Sequence, residues 1–381
     1  MLKILHAADL HLDTAFSLED PRTAELRRNE LRAAFVNLMM FVRSKEVDIL
    51  LIAGDLFDRV RPTRETEEVV LREFAQSPRV QIFICPGNHD PYTADSPWAR
   101  LSFSDNVHIF DSETLSYFDL PELGVSVYGY AFTANRLPYN PFANPPKLNE
   151  EHINILLGHA DVGKSASDDC PLPLPEIARS GFDYLALGHI HQASGLQREG
   201  YSYYAYPGCL EGRDFGECGS GKGALIAVMQ KNRPGEFEIE TKQVRFARRR
   251  YEILKLRFEG TESAEEVISA CDKAVRDGGY GEDTLLRLIL EGQLPEGVTV
   301  SRTLLQSVAR KVFYLEVKNR TEPAIDLAAL ASDPTLRGAF YQSLLPMLEG
   351  DEEEKALAEK ALRYGLGSLS GADIIDFGDD L

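Results

Sequence analysis

Paired cysteines, long apolar runs and tryptophan are what this 381-residue chain has little of. Its five cysteines, Cys85, Cys170, Cys209, Cys218 and Cys271, are odd in number and include no Cys-x-x-Cys pair. That excludes a disulfide framework and a zinc ribbon, and leaves structural thiols. No apolar run approaches the ~18 residues of a membrane span, so no membrane association is expected. The amino terminus turns polar by His11, which suits a first strand better than a signal peptide, and a cytoplasmic location is expected. Trp98, the only tryptophan, is read as a packing residue. Positive charge is also scarce, with a net charge of -19. The deficit is uneven. Residues 321–381 hold 13 acidic and 4 basic side chains, whereas Lys242 to Arg257 holds seven basic residues against Glu252 alone. With 44% hydrophobic and 27% charged residues the chain is globular, and its length implies two domains with a short appendage.

What is present is a series of apolar strands that each end on Asp, Asn or His. Leu2 to Ala8 runs into Asp9-Leu10-His11-Leu12-Asp13, where Asp9 and His11 share a side if the backbone stays extended. Spaced this way they suit a metal, or simply a polar loop; Asp13 is assigned to turn chemistry. Thr23 to Lys45 repeats apolar residues at helical spacing (Leu31, Phe35, Leu38, Met39, Val42). Asp48 to Ala53 is apolar on both faces, as a buried strand is, and stops at Gly54-Asp55-Leu56-Phe57-Asp58. A helix from about Arg64 to Gln76 precedes the strand Val80 to Cys85, which delivers Pro86-Gly87-Asn88-His89-Asp90. Arg59, Arg61 and Arg64 either meet phosphates or solvate a helix start. After a proline-rich loop, Ile153 to Leu157 leads to Gly158-His159, and Phe182 to Leu187 leads to Gly188-His189-Ile190-His191. Further strands are expected at Tyr201 to Tyr206, Ala224 to Val228 and Phe237 to Val244.

Strand, helix, strand alternation with ligand-type residues at the carboxyl ends is an α/β pattern in which ligands gather at the strand tips. Asp9, His11, Asp55, Asn88, His159, His189 and His191 are too many donors for one tetrahedral zinc. Two divalent ions bridged by Asp55 would use them all, and a mixed imidazole, carboxamide and carboxylate set suits manganese, iron or zinc better than magnesium. Such a pair holds a phosphate oxygen and lowers the pKa of a water between the ions. His89 is then free to protonate a departing alkoxide, with Asp90 to orient it. His6 is expected in the core, and His108 and His152 at the surface.

Asp9-x-His11, Gly54-Asp55-x-x-Asp58, Gly87-Asn88-His89-Asp90, Gly158-His159 and Gly188-His189-x-His191, in this order, resemble the calcineurin-like metallophosphoesterases. The resemblance implies a sandwich of two β-sheets flanked by helices. It also implies one ion on Asp9, His11, Asp55 and His191, another on Asp55, Asn88, His159 and His189, and His89 as the general acid. The fuller motifs, with Arg213-Asp214-Phe215-Gly216-Glu217 after Pro207-Gly208, look like the SbcD-type DNA-repair exonucleases. This implies a manganese-dependent nuclease domain over residues 1–246, an αβ cap that binds DNA over 247–322, and over 323–381 a helical segment that docks an SbcC-type coiled-coil ATPase. Within the cap, strands are expected at Tyr251 to Phe258, Thr284 to Leu290 and Phe313 to Val317, and helices at Ser263 to Arg276 and Ser301 to Ala309. Thr335 to Leu348 and Glu352 to Tyr364 would be the docking helices, and Gly371 to Leu381 a loose end. Asp58 stands where archaeal and eukaryotic members carry histidine, so that histidine's role is not transferred. A homodimer is compatible with the sequence. The other readings are a phosphatase or phosphodiesterase acting on phosphoproteins or cyclic nucleotides, which would keep the same metal site, and a scaffold without catalysis, which the intact ligand set opposes.

Overall fold

The computed structural model describes residues 1–369 except 17, 19, 220, 296, 297, 299, 301 and 302, so the expected loose end at 371–381 lies outside the described residues. The chain divides into two compact units, Met1–Glu252 and Ile253–Leu381.

The first unit alternates strands and helices: β1 (Leu2–Ala7), α1 (Pro21–Ser44), β2 (Ile49–Ala53), α2 (Arg64–Ala75), β3 (Gln81–Cys85), α3 (Pro97–Arg100) and β4 (Val107–Ile109). It continues through β5 (Ser116–Leu120), β6 (Val125–Gly129), β7 (Ile153–His159), β8 (Asp161–Val162), β9 (Pro171–Leu172), α4 (Leu174–Ser180), β10 (Tyr184–Gly188), β11 (Gln197–Glu199), β12 (Ser202–Ala205), β13 (Ala224–Arg233) and β14 (Glu236–Val244). Two six-stranded mixed sheets result, in the orders β14-β13-β1-β2-β3-β4 and β11-β12-β10-β7-β6-β5. In the first, β1 to β4 are mutually parallel and β13 runs antiparallel to β1. In the second, β6, β7, β10 and β12 are parallel.

Why the strands read as continuous apolar runs is visible in β2. Ile49, Leu51 and Ala53 pack between the two sheets, while Leu50 and Ile52 pack outward with Leu31, Phe35 and Leu38 of α1. Both faces are covered, so no alternation survives in the sequence. The outer face of the second sheet is covered in the same way, with Ile177 of α4 and Phe182 meeting Leu156 and Leu185. Trp98 is buried, tilted against Phe57, and its indole N–H donates to the Asp90 carbonyl at 2.6 Å. His6 is buried, 2.9 Å from the Tyr184 hydroxyl. His108 is half-buried rather than free at the surface: it stacks on Phe83 and bonds Gln81. His152 is also held, by Ser126.

The second unit holds the sheet β15-β16-β17, with β15 at Arg250–Glu259, whose first three residues still belong to the first unit, β16 at Thr284–Leu294 and β17 at Tyr314–Pro323. Helix α5 (Ala264–Asp277) starts at a capping box between Ser263 and Glu266 and buries Val267, Cys271 and Val275. The helix expected over 301–309 is only α6 (Gln306–Ala309), since residues 303–305 form a turn and 301 and 302 lie outside the described residues. Helices α7 (Leu327–Ala331), α8 (Leu336–Leu348) and α9 (Glu352–Leu369) pack around Leu330, Tyr341, Leu362 and Leu366. Among the described residues no helix is long and apolar enough to cross a membrane.

Candidate metal centre

Five parallel strands of the two sheets, β1, β2, β3, β7 and β10, carry the candidate donors at or just beyond their carboxyl ends, and the sandwich brings those ends together. Backbone pairing continues past the strand limits. Asp9 N–H donates to the Gly54 carbonyl at 3.1 Å and His11 N–H to the Asp55 carbonyl at 2.9 Å. The backbone does not stay extended there: Asp9, His11, Asp55 and His189 have φ of 51°, 46°, 52° and 102°. The shared direction of Asp9 and His11 therefore comes from left-handed turns, not from strand alternation. Such conformations cost about 1–3 kcal/mol each in non-glycine residues and persist where the surroundings enforce them, which is typical of functional sites. Glycines make the close approach possible. A Cβ on Gly54 would lie 2.1 Å from His159 Nδ1, and one on Gly188 would lie 1.7 Å from the Ala53 carbonyl oxygen.

Asp55 sits at the middle. Its Oδ1 accepts the His89 backbone N–H at 3.0 Å, and its Oδ2 lies 3.6 Å from His11 Nε2 and 3.5 Å from His159 Nε2. On one side Asp9, His11 and His191 converge, with Asp9 Oδ1 3.7 Å from His191 Nε2. On the other, Asp9, Asp55 and His159 converge, and Asn88 Oδ1 stands 3.0 Å from His159 Nε2. His189 turns edge-on to His159, donates its backbone N–H to Asp9 Oδ1 at 3.0 Å, and has Nε2 4.0 Å from Asp169.

Burial pushes the His159 imidazole down to about 4, and its Nδ1 donates to the Ala53 carbonyl at 3.0 Å. The neutral ring thus turns a bare Nε2 toward the Asn88 carbonyl oxygen, acceptor against acceptor. His11 Nδ1 donates to Asp58 at 3.1 Å, and His191 Nδ1 to Glu217 at 2.6 Å. Their Nε2 atoms then face each other at 3.2 Å and call for one positive charge between them. Donors about 2.1 Å from one ion sit roughly 3 Å apart when they subtend a right angle there. Burial pushes the Asp9 carboxyl up to about 7. Burial alone would raise Asp55 as well, but the imidazoles of His159 and His11 hold it below the usual carboxylate range. Buried carboxylates among imidazoles whose second nitrogens are already committed form a donor set that fits two divalent cations.

Two expectations need correction or extension. Asp90 does not orient His89. Its carboxylate points down into the turn and accepts the backbone N–H groups of Gly87 at 2.8 Å and Phe57 at 3.1 Å. The residue beside the His89 ring is Asp58, whose carbonyl lies 3.3 Å and whose carboxylate lies 3.8 Å from Nδ1. Glu217 and Asp58, the carboxylates behind His191 and His11, were not assigned a role from sequence; their signal was a place inside charged, glycine-containing loops next to the ligand motifs. Farther out, Arg61 and Arg64 pair at the surface with Asp95 and Glu68. Within the basic stretch Arg249 is buried against Glu30, so that charge serves the fold, whereas Lys242, Arg245 and Arg248 are exposed.

Comparison with known proteins gives the following. The family described as calcineurin-like phosphoesterase matches residues 2–193. The chain is 28% identical to the uncharacterized metallophosphoesterase YhaO of Bacillus subtilis over 95% of its own length and 93% of that protein's. It is 25% identical to the DNA double-strand break repair protein Mre11 of Methanopyrus kandleri, covering 79% of this chain and 77% of that one. Among solved structures, TT1561 of Thermus thermophilus aligns with 64% of this chain and 99% of its own, at 12% identity and a TM-score of 0.37.

Proposed function

The chain belongs to the calcineurin-like phosphoesterase family, and from that premise we propose a manganese-dependent DNA-repair nuclease that hydrolyses phosphodiester bonds. Metal-dependent phosphoester hydrolysis at a binuclear centre is the family's chemistry; the substrate, the metal and the residue roles are our reading. Asp9, His11, Asp55 and His191 would hold one ion and Asp55, Asn88, His159 and His189 the other. When bound, the ions supply Lewis-acid polarisation of the phosphate and a nucleophile at neutral pH.

The observation that carries this reading is the pair of facing acceptors, His11 with His191 and His159 with Asn88, set either side of Asp55 Oδ2. The chain's own residues do the rest. Asp58 and Glu217 fix which nitrogen of His11 and His191 is bare. The Gly87 and Phe57 amides clamp Asp90, which holds the turn that presents Asn88 and His89 on the same side as Asp55. His89, half exposed, stands where it can give a proton to a leaving oxygen.

DNA as substrate is supported by the similarity to Mre11 over most of the chain and by the exposed bases Lys242, Arg245 and Arg248. The second unit would then act as the DNA-binding cap. Helices α8 and α9 leave Leu336 and Leu357 exposed on their outer surface, which suits docking of an SbcC-like coiled-coil ATPase. The test is a side-by-side assay with manganese on DNA, a generic phosphodiester and a phosphomonoester. We expect cleavage of DNA and of the diester. Activity confined to the monoester, with none on DNA even beside an ATPase partner, would replace the nuclease reading with a phosphatase.

A further inference from the structure

Behind the candidate donors lies a charged network that the reaction does not itself require. We propose that Arg213 is a positioning residue for the metal centre: a cationic clasp that fixes the spacing of the two carboxylates behind His11 and His191. The proposal rests on the reading of those two imidazoles as donors to one ion.

The guanidinium lies between the carboxylates. Its Nη1 is 3.2 Å from Asp58 Oδ1, while Nε and Nη2 donate to Glu217 Oε1 at 3.0 and 2.8 Å. Those same two oxygens accept the Nδ1 hydrogens of His11 and His191. Each carboxylate therefore has two tasks: it fixes the tautomer of its imidazole, and it answers to a shared cation. Without the guanidinium, two carboxylates only 19% and 10% exposed would face a common space with no shared cation, Glu217 keeping the Arg213 backbone N–H at 2.8 Å on its Oε2 and its own imidazole. They would separate, and the two Nε2 atoms would leave their 3.2 Å spacing. A lysine could neutralise the pair but, as a point charge, could not span both with fixed geometry.

The clasp is itself fastened. The buried Tyr251 hydroxyl donates to the Arg213 carbonyl at 2.8 Å, and its ring packs edge-on against Phe215 at 5.0 Å. Immediately before Arg213 in the chain, Arg27 donates to Glu211 and to the Gly212 carbonyl, both within the core. The segment Glu211 to Arg213 is thus tied down at three consecutive residues, and Phe215 is packed against the same tyrosine, as a rigid layer behind metal donors should be.

The experiment is calorimetric titration of metal-stripped full-length protein with Mn²⁺, with circular dichroism to confirm folding. Wild type is expected to bind two ions. Arg213→Gln should weaken one of them by about 10- to 100-fold, the range for loss of a supporting partner, and leave the other unchanged. Arg213→Lys should fall between the two. Tyr251→Phe, which removes a single hydroxyl, should weaken the same ion by about 2- to 10-fold, the worth of one hydrogen bond. Wild-type affinity for both ions in folded Arg213→Gln overturns the proposal, and wild-type affinity in Arg213→Lys overturns its geometry in favour of charge alone. Should Arg213→Gln not fold, unchanged binding in Tyr251→Phe overturns it instead. Wild-type protein that binds no manganese pair would sink the metal-centre reading, and the clasp with it.

Discussion

Replacing His89 with glutamine is expected to reduce turnover in proportion to how much the leaving group needs a proton. The tie from residue 89 to Asp55 is made by the backbone N–H at 3.0 Å, which any residue keeps. The ring itself is 42% exposed; its Nδ1 lies 3.3 Å from the Asp58 carbonyl and 3.8 Å from the Asp58 carboxylate, and it stands edge-on to the His11 ring at 4.7 Å. Removing it should therefore change stability by no more than about 0.5 kcal/mol, the usual range for an exposed side chain, and should leave manganese content at the wild-type level. A lost general acid lowers the rate by about 10²- to 10⁴-fold. At about 1.36 kcal/mol per tenfold, that is roughly 2.7–5.4 kcal/mol on the barrier. The full loss should appear with an oligonucleotide, whose departing alkoxide must be protonated. With a p-nitrophenyl phosphodiester, whose leaving group departs as a stable anion, the loss should be small. The assay is steady-state kinetics on both esters with manganese, alongside metal content by mass spectrometry. Equal losses on the two substrates would remove His89 from the acid role, and depleted manganese would make it a ligand.

Gly188→Ala places a Cβ 1.7 Å from the Ala53 carbonyl oxygen and 2.9 Å from Ala8 Cβ, so backbone must give way beside Asp55 and His189. A cost of about 1–3 kcal/mol or more is expected, read as a melting temperature several degrees lower by thermal unfolding, with manganese affinity reduced too; a variant as stable and as metal-loaded as wild type would refute the packing argument. Deleting the chain from Thr335 onward is expected to spare hydrolysis of a small phosphodiester and to abolish co-purification with an SbcC-like ATPase. Retained co-purification would remove α8 and α9 from the docking role.

Much of the sandwich was legible because a strand buried on both faces leaves a continuous apolar run, and because each of β1, β2, β3, β7 and β10 stops at a glycine- or alanine-bounded cluster of polar residues. What escaped was short or half exposed. Edge strand β5 (Ser-Tyr-Phe-Asp-Leu) exposes most of one face, and the three-residue β11 is too brief to show a period. Helix α4 spans seven residues and begins with proline in its first turn, so it reads as loop. Within the site, residue types were easier to read than directions. Asp90 follows His89 in sequence, yet the turn sends its side chain toward the Phe57 and Gly87 amides, away from the imidazole. Glu217 lies 26 residues from His191 and reaches it only through the fold of its loop. Arg249 looked like part of a basic surface because sequence cannot show that Glu30 of α1 is buried opposite it.

The most direct measurement of the central claim is a crystal structure of the protein grown with manganese, with anomalous scattering recorded at the metal edge. Two peaks are predicted, one in contact with Asp9, His11, Asp55 and His191, the other with Asp55, Asn88, His159 and His189. No peak at the strand tips, or a single ion that leaves either the His11–His191 or the His159–Asn88 pair unengaged, would contradict it.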